Sequence, residues 1–127
     1  MNIPADLLYT KDHEWVCFTS GDTVKVGITD FAQSALGDIV FINLPDVGDE
    51  AVAGESFADV ESVKAVSDIY CPVSGTITDV NTEVLSNPAL INDDPYDAWL
   101  IEIGSVDDDR GSLLTAEEYE AQLAEEG

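Results

Sequence analysis

Short runs in which hydrophobic and polar residues alternate occur along most of the chain, and Gly, Pro or Asp residues interrupt them. Alternation with a period of two is the pattern of a strand with one buried face. Many short runs separated by turn residues favour a small sandwich or barrel over a helical bundle. The pattern therefore predicts a mainly β fold, whose strands are Glu14–Thr19, Thr23–Ile28, Asp38–Leu44, Glu55–Ser62, Ala65–Tyr70, Gly75–Asn81 and Ala98–Gly104.

One segment inside this pattern, Asp30–Leu36, has helical character. Its apolar residues fall on nearby faces of a helix, and it stops at Gly37, a residue type common just after a helix end. Asp30 is predicted as the N-terminal cap, with Gln33 three residues further on as the second member of a capping box. We therefore expect a short internal helix.

A second helix is predicted at the end of the chain. Thr115 and Glu118 have the spacing of a capping box, in which each side chain bonds the backbone N–H of the other residue. Tyr119 and Leu123 follow at i and i+4 and supply an apolar edge. A helix over about 116–125 that docks on the sheet is expected.

Length and charge limit the possible functions. The chain has 127 residues, 45% of them hydrophobic, which fits a single folded domain over residues 1–127. Its 27 Asp and Glu residues stand against four Lys and Arg, a formal net charge of -23. Phosphate backbones and anionic lipids are bound through Lys and Arg, so nucleic acid and membranes are not expected partners. A halophilic cytosol, where salt screens the repulsion, explains the acidity more simply than a basic partner does.

The sequence also predicts a soluble, cytoplasmic protein without a metal site. The first residues lack the basic region of a secretory signal. The longest uncharged run, Ile69 to Thr78, is far shorter than the roughly 20 apolar residues of a membrane span. Cys17 and Cys71 match no zinc-binding spacing and are expected to be reduced core thiols, and a single His cannot complete a metal cluster.

Lys64 is the residue with the clearest chemical potential. It lies between two strand-like runs, with turn-forming glycines at Gly48 and Gly75 on either side, which favours an exposed hairpin tip. A lysine amine there can be acylated, and its flexible stem adds reach to the attached group. The hairpin must hold its register, because a slip of one residue would turn the side chain to the other face. An ordinary surface lysine is the simpler alternative, but lysines are rare here: only Lys11 and Lys25 accompany it.

Several segments resemble the glycine cleavage system H proteins, a lipoyl-carrier family. Glu61-Ser62-Val63-Lys64-Ala65, followed by Ser67-Asp68, is similar to the lipoylation motif of that family. The resemblance extends from about Tyr9 to Tyr119 and is more specific than any single motif. Its other segments are His13-Glu14-Trp15, Gly27-Ile28-Thr29-Asp30-Phe31-Ala32-Gln33, Leu36-Gly37-Asp38-Ile39-Val40-Phe41, Pro72-Val73-Ser74-Gly75, Leu90-Ile91-Asn92 and Asp94-Pro95-Tyr96.

The resemblance implies a flattened β-sandwich of the lipoyl/biotinyl type and a carrier that is not itself an enzyme. Lipoate attached to Lys64 would take an aminomethyl group from a pyridoxal-phosphate glycine decarboxylase and present it to a folate-dependent aminomethyltransferase. Dihydrolipoamide dehydrogenase would reoxidise the arm, and a lipoate-attaching enzyme would install it. Brief docking with several enzymes favours a monomer.

The resemblance also implies an arm-binding cleft. Glu14 is the first candidate residue because a carboxylate suits the cationic amine of the cargo. Asp68 and Asp12 are further candidates at matching positions, although a solvated carboxylate is the simpler reading of any acidic residue in this chain. His13 is expected to be a hydrogen-bonded structural residue or an edge of the cleft, and not a general base.

Four other functions compete with this one. The closest is an H-like carrier that hands lipoyl groups to other proteins or serves sulfur metabolism. The lipoyl domain of a 2-oxoacid dehydrogenase has a motif similar to Asp-Lys-Ala around its lysine. A biotin carrier needs a methionine on each side of the lysine, where this chain has Val63 and Ala65. An acidic hydrolase would use paired carboxylates, which chance alone supplies in so acidic a chain.

Adaptation to salt predicts a strongly salt-dependent stability. Screening by molar KCl weakens the repulsion among surface carboxylates, so thermal unfolding is expected at a far lower temperature in dilute buffer. Calorimetry in the two solutions measures the difference. Equal melting temperatures would discard the halophilic interpretation.

Overall fold

Short strands make up most of the regular structure, and helices follow the third, eighth and ninth of them. The structure is a computed structural model that describes residues 2–106 and 113–126. Its helices are α1 (Asp30–Leu36), α2 (Thr82–Ser86), α3 (Ala89–Asp93) and α4 (Ala116–Glu126). Its strands are β1 (Leu8–Tyr9), β2 (Glu14–Ser20), β3 (Thr23–Ile28), β4 (Ile39–Asn43), β5 (Glu50–Ala51), β6 (Ser56–Ser62), β7 (Val66–Tyr70), β8 (Gly75–Val80) and β9 (Ile101–Gly104).

The strands form two antiparallel sheets. The larger has six strands in the order β1-β2-β3-β9-β8-β5, and the smaller has three in the order β4-β6-β7. Buried side chains of the larger sheet include Val26, Ile77 and Ile103, while Ile42, Val60 and Ile69 line the core of the smaller one. The predicted mainly β sandwich with an internal and a C-terminal helix is confirmed.

The internal helix has the predicted bounds, but the predicted cap was wrong. Thr29, not Asp30, is the N-cap, and its hydroxyl accepts a hydrogen bond from the backbone N–H of Ala32 at 3.3 Å. The Asp30 carboxylate instead accepts bonds from the Gln33 side chain and the backbone N–H of Asn2. The two candidates are adjacent and chemically similar, so sequence spacing alone did not separate them.

The C-terminal helix α4 begins with the predicted capping box. The backbone N–H of Thr115 donates to Glu118 Oε1 at 3.0 Å, and the N–H of Glu118 donates to Thr115 Oγ1 at 3.2 Å. Tyr119 is fully buried and stacks on Tyr9 with ring centroids 4.8 Å apart. The predicted docking of this helix on the sheet is confirmed.

Four short elements were missed by the sequence pattern. Strands β1 and β5 have two residues each, and helices α2 and α3 have five residues each. Elements of this length are too short to show a hydrophobic periodicity in the sequence. A short helix can still be marked by its capping residue, as Asn81 marks the start of α2. Of the two predicted core thiols, Cys71 is buried as expected, whereas Cys17 is half-buried.

Candidate functional site

Lys64 lies at the exposed turn of the hairpin formed by β6 and β7. Glu61 pairs with Val66 at the end of the ladder, and the backbone N–H of Ser62 donates to the Ala65 carbonyl at 2.8 Å. The Ser62 hydroxyl accepts bonds from the backbone N–H groups of Lys64 and Ala65, at 3.3 and 3.1 Å. The predicted motif residues Glu61, Ser62, Val63 and Ala65 therefore build or border the turn that carries Lys64.

The hairpin turn is tied to the segment that follows α1. The backbone N–H of Val63 donates to the Asp38 carbonyl at 3.0 Å, and Ile39 pairs with Ser62. Asn92 fixes this segment from α3, because its side chain accepts from the Ile39 N–H at 2.9 Å and donates to the Gly37 carbonyl at 2.9 Å. The turn that carries Lys64 is thus held by backbone hydrogen bonds to β7 on one side and to the segment after α1 on the other.

Gly37 allows the Lys64 stem to lie against the end of α1. Its φ of +80° lies in the left-handed region that favours glycine. A methyl group added there would come within 3.1 Å of Lys64 Cε. A larger residue would therefore displace the side chain of Lys64 as well as strain the backbone.

A cleft of about 180 Å³ lies between α1, the hairpin and the start of β2. Apolar side chains of α1 form one wall, and residues of β6 and β7 form the opposite wall. The four predicted cleft residues, Asp12, His13, Glu14 and Asp68, all belong to its lining. The remaining lining residues are Ile28, Phe31, Ala32, Ala35, Leu36, Val60, Ser67 and Ile69.

Glu14 is the buried acid of this cleft, with 3% of its surface exposed. The Thr10 hydroxyl donates to Glu14 Oε1 at 2.7 Å. Burial raises the pKa of the carboxyl from its ordinary 4.5 to about 8, while the bonds from Thr10 and the Tyr70 backbone oppose the shift and the charge of Asp12 adds to it. Within the described residues the one contact of ion-pair length joins His13 Nε2 to Glu126 Oε1, so Glu14 has no basic partner at that distance there.

The two aspartates are placed differently from Glu14, since both are exposed. Asp68 contributes to the cleft lining, but strand alternation turns its side chain away from the face of Ser67 and Ile69. It also pairs across the ladder with Asp59. Asp68 therefore lies at the rim of the cleft, and Asp12 lies at the rim on the β2 side.

His13 connects the cleft to the C-terminal helix. Its Nδ1 lies 2.8 Å from Tyr119 Oη, which in turn lies 2.7 Å from the hydroxyl of Thr29, the N-cap of α1. Its ring packs on Phe31 with centroids 4.6 Å apart. His13 is thus both a hydrogen-bonded structural residue and a cleft edge, as the sequence predicted.

Three residues have positioning roles that the sequence did not predict. Thr10 holds the Glu14 carboxyl, Asn92 holds the end of α1, and Tyr119 joins α4 to the α1 cap. Asn92 and Tyr119 fall in segments with recognisable patterns, namely Leu90-Ile91-Asn92 and the capped terminal helix. Thr10 carried no signal, because its partner becomes apparent only when the turn before β2 is folded.

Three of the other cavities are larger than the cleft. One of about 420 Å³ and one of about 330 Å³, which both include Phe57 in their lining, contain none of the predicted site residues. The third, of about 480 Å³, shares Asp12 and Glu14 with the cleft but contains none of the turn residues 62–65. Size alone therefore does not locate the site, whereas proximity to Lys64 does.

Clusters of metal ligands and membrane-spanning helices are both absent from the part of the chain that the structure describes. Residues 2–106 and 113–126 contain no group of three or more His, Cys, Asp or Glu placed to hold a metal ion. No helix in the same ranges has the length and apolar character needed to cross a membrane.

A small β-sandwich that presents a lysine on a rigid hairpin beside a cleft belongs to the class of carrier domains. The family model for the glycine cleavage H-protein matches residues 7–126. The chain therefore belongs to the glycine cleavage H-protein family, whose members hold lipoate on a lysine and are not catalytic themselves. This membership decides against the acidic hydrolase.

Known relatives agree in sequence and in structure. The glycine cleavage system H protein of Lachnoclostridium phytofermentans is 52% identical over 126 residues, covering 99% of this chain and 98% of the relative. That of Mycobacterium avium is 54% identical over 130 residues, covering 98% of each. The crystal structure of an H protein from Mycobacterium marinum superposes with a TM-score of 0.86 at 46% identity, covering 96% of this chain and 99% of the other.

Burial of Glu14 predicts a specific pH dependence of stability. Between pH 4.5 and about 8 the folded protein keeps a proton that the unfolded chain has lost, so this group lowers the free energy of unfolding as pH rises through that window. Glu14→Gln removes the titration. From pH 5 to pH 8 the wild type is expected to lose a few kcal/mol more than the variant in urea unfolding.

Glu50→Gln is the matched control for that measurement, because Glu50 is exposed on β5. It should follow the wild-type pH profile. Identical profiles for wild type and Glu14→Gln would show that Glu14 titrates as an ordinary exposed carboxyl.

Proposed function

We propose that Lys64 is the lipoyl attachment site of this lipoyl carrier of the glycine cleavage system. In this role the arm takes the aminomethyl group from glycine decarboxylase, a pyridoxal-phosphate enzyme, and passes it to the folate-dependent aminomethyltransferase. Dihydrolipoamide dehydrogenase reoxidises the arm. The observation that supports the assignment best is the exposed position of Lys64 at a hydrogen-bonded turn whose neighbour, Gly37, closes the end of α1.

The other lysines fit the role less well. Lys25 lies on β3, where its ammonium sits 4.7 Å above the ring of Trp99. Lys11 precedes β2 in a loop, and its backbone carbonyl accepts a bond from Gln122. Lys25 does not stand at a turn. Lys11 does stand at the turn between β1 and β2, but that turn is bonded to the C-terminal helix α4 through the Lys11 carbonyl.

The cleft has the chemistry that an arm attached to Lys64 requires. Lipoate supplies a disulfide that can be reduced, carry the cargo and be reoxidised. The apolar side chains of Phe31, Leu36 and Val60 suit its hydrocarbon chain, and their packing excludes water. The buried Glu14 carboxyl, which has no basic partner among the described residues, suits the cationic amine of the cargo.

Proton linkage then sets how Glu14 acts. A cation beside the carboxyl favours its ionised form, so binding of the amine lowers the pKa of Glu14 from about 8 and releases a proton. At pH values below that pKa the Glu14 carboxyl carries a proton, and the amine must displace this proton in order to bind. Retention of the cargo in the cleft is therefore expected to strengthen as pH rises towards 8.

The cellular setting is part of the same proposal. A single lipoyl-binding domain over residues 1–127, acting as a monomer in the cytoplasm, suits brief contacts with three enzymes and a lipoate-attaching enzyme. The net charge of -23 supports a halophilic cytosol. The relatives named above come from Lachnoclostridium and Mycobacterium and do not add to that support.

Lys64→Arg tests the attachment site. Arginine keeps the charge but has no amine that can form the amide, so protein co-expressed with a lipoate-attaching enzyme is expected to lack the lipoyl mass increment. Lys25→Arg is the control and should carry the same increment as the wild type. Intact-mass spectrometry reads both, and a full increment on Lys64→Arg would place the group elsewhere.

Glu14→Gln tests the role of the buried acid. The neutral amide cannot pair with the ammonium, so the loaded cargo is expected to break down faster than in the wild type, with the larger difference at pH 8 than at pH 6. The half-life of the aminomethyl group on isolated, fully lipoylated protein measures this. An unchanged half-life at both pH values would remove Glu14 from the proposal.

The second candidate function, an H-like carrier for lipoate transfer or sulfur metabolism, shares the turn and the cleft. Glycine–bicarbonate exchange with glycine decarboxylase separates the two, because only a glycine cleavage carrier supports it. Full lipoylation without exchange would favour the second function.

A further inference from the structure

Exposed apolar side chains lie on β4 and next to the turn that carries Lys64. Val40, Phe41, Val63 and Val66 are 55%, 47%, 67% and 67% exposed. In a protein with a formal charge of -23 the surface is otherwise rich in carboxylates, so an apolar cluster there needs a physical reason. We refer to these four residues as the hairpin patch.

Strand register makes the patch continuous. Phe41 pairs with Glu61, and Glu61 pairs with Val66, so the three residues form one row across β4, β6 and β7. Adjacent strands lie about 4.8 Å apart, which places the ends of this row about 10 Å from each other. Val63 lies in the turn beside Lys64.

The row is on the outer face of the small sheet. Ile42, Val60 and Ile69 of the same strands are buried, and they occupy the inner face. Phe41 and Val66 are therefore not part of the core, and no described element covers them. Their exposure adds nothing to folding and is available for binding.

Charge limits what can bind there. Asp59, Glu61 and Asp68 lie in the same strands, and the sequences of β4, β6 and β7 contain no Lys or Arg. A second copy of this chain would bring two acidic faces together, and nucleic acid or anionic lipid would be repelled. The complementary surface is a protein with an apolar depression bordered by Lys or Arg.

We propose that the hairpin patch is the docking surface for an enzyme that accepts the Lys64 arm, and that this enzyme meets it with an apolar depression rimmed by basic residues. The inference rests on the proposed function, because any enzyme that receives the arm must approach this turn. Phe41 and Val66 supply the apolar contact, and Glu61 between them orients the basic rim. Glycine decarboxylase is the probe partner.

Matched pairs of variants test the proposal. Phe41→Ser is compared with Leu85→Ser, because Leu85 is 44% exposed on α2. Val66→Ser is compared with Val47→Ser, because Val47 is 60% exposed in a turn. Glu61→Lys is compared with Glu50→Lys on β5. Each preparation is first shown by intact-mass spectrometry to be fully lipoylated. Its concentration is then varied as the substrate of glycine decarboxylase in the glycine–bicarbonate exchange assay.

The three patch variants are expected to raise KM for the carrier about tenfold, with kcat at saturation within about twofold of the wild type, because a docking contact contributes to binding and not to chemistry. The three control variants are expected to keep the wild-type KM. Unchanged melting temperatures establish that the variants are folded.

Three results would overturn the proposal: a wild-type KM in the patch variants, an equal rise in KM in the controls, or a fall in kcat at constant KM. A wild-type dimer that Phe41→Ser dissociates would also overturn it, since the occupant would then be a second copy. Failure of the proposed function has a different signature, because the wild type itself would then lack the lipoyl group or the exchange activity.

Discussion

The register of β6 against β7 is the constraint on which the rest of the site depends. Glu61 opposite Val66 leaves Ser62 to Ala65 as the turn, and the Ser62 hydroxyl closes it through the backbone N–H of Lys64. A slip of one residue would exchange the two faces of the hairpin, bury the hydrophilic positions and move the lysine off the turn. The bond from Val63 to Asp38 and the clamp of Asn92 at Gly37 make that slip costly, because several backbone bonds would break together.

The same constraint joins the lysine to a cleft and to a surface. On the inner side of the small sheet, Val60 and Ser67 face α1 and form the cleft that ends at the buried Glu14. On the outer side, the neighbouring positions Phe41, Glu61 and Val66 are open to a partner. One face of the hairpin thus suits storage of an attached arm, and the other suits recognition. The alternation of side chains along a strand places these two surfaces on opposite faces of one hairpin.

Sequence reasoning succeeded where a pattern was long or a motif was local. The seven main strands, the helix Asp30–Leu36 and the Thr115–Glu118 box were all readable from periodicity and spacing. The five-residue helices α2 and α3 were not, because one turn has no period. For the site, the positions of Lys64 and Glu14 were predicted, but the raised pKa of Glu14 was not, since it arises from burial against residues distant in sequence. The rim position of Asp68 likewise depends on which face of β7 turns inward.

We expect an arm attached to Lys64 to fold back along α1 towards Glu14. Solution NMR spectra of the protein with and without attached lipoate test this expectation. Chemical-shift changes are predicted at Phe31, Leu36 and the Glu14 carboxyl, in addition to those at the turn. Changes confined to residues 62–66 would contradict it, because the arm would then extend into solvent and the cleft would have no part in carrying the cargo.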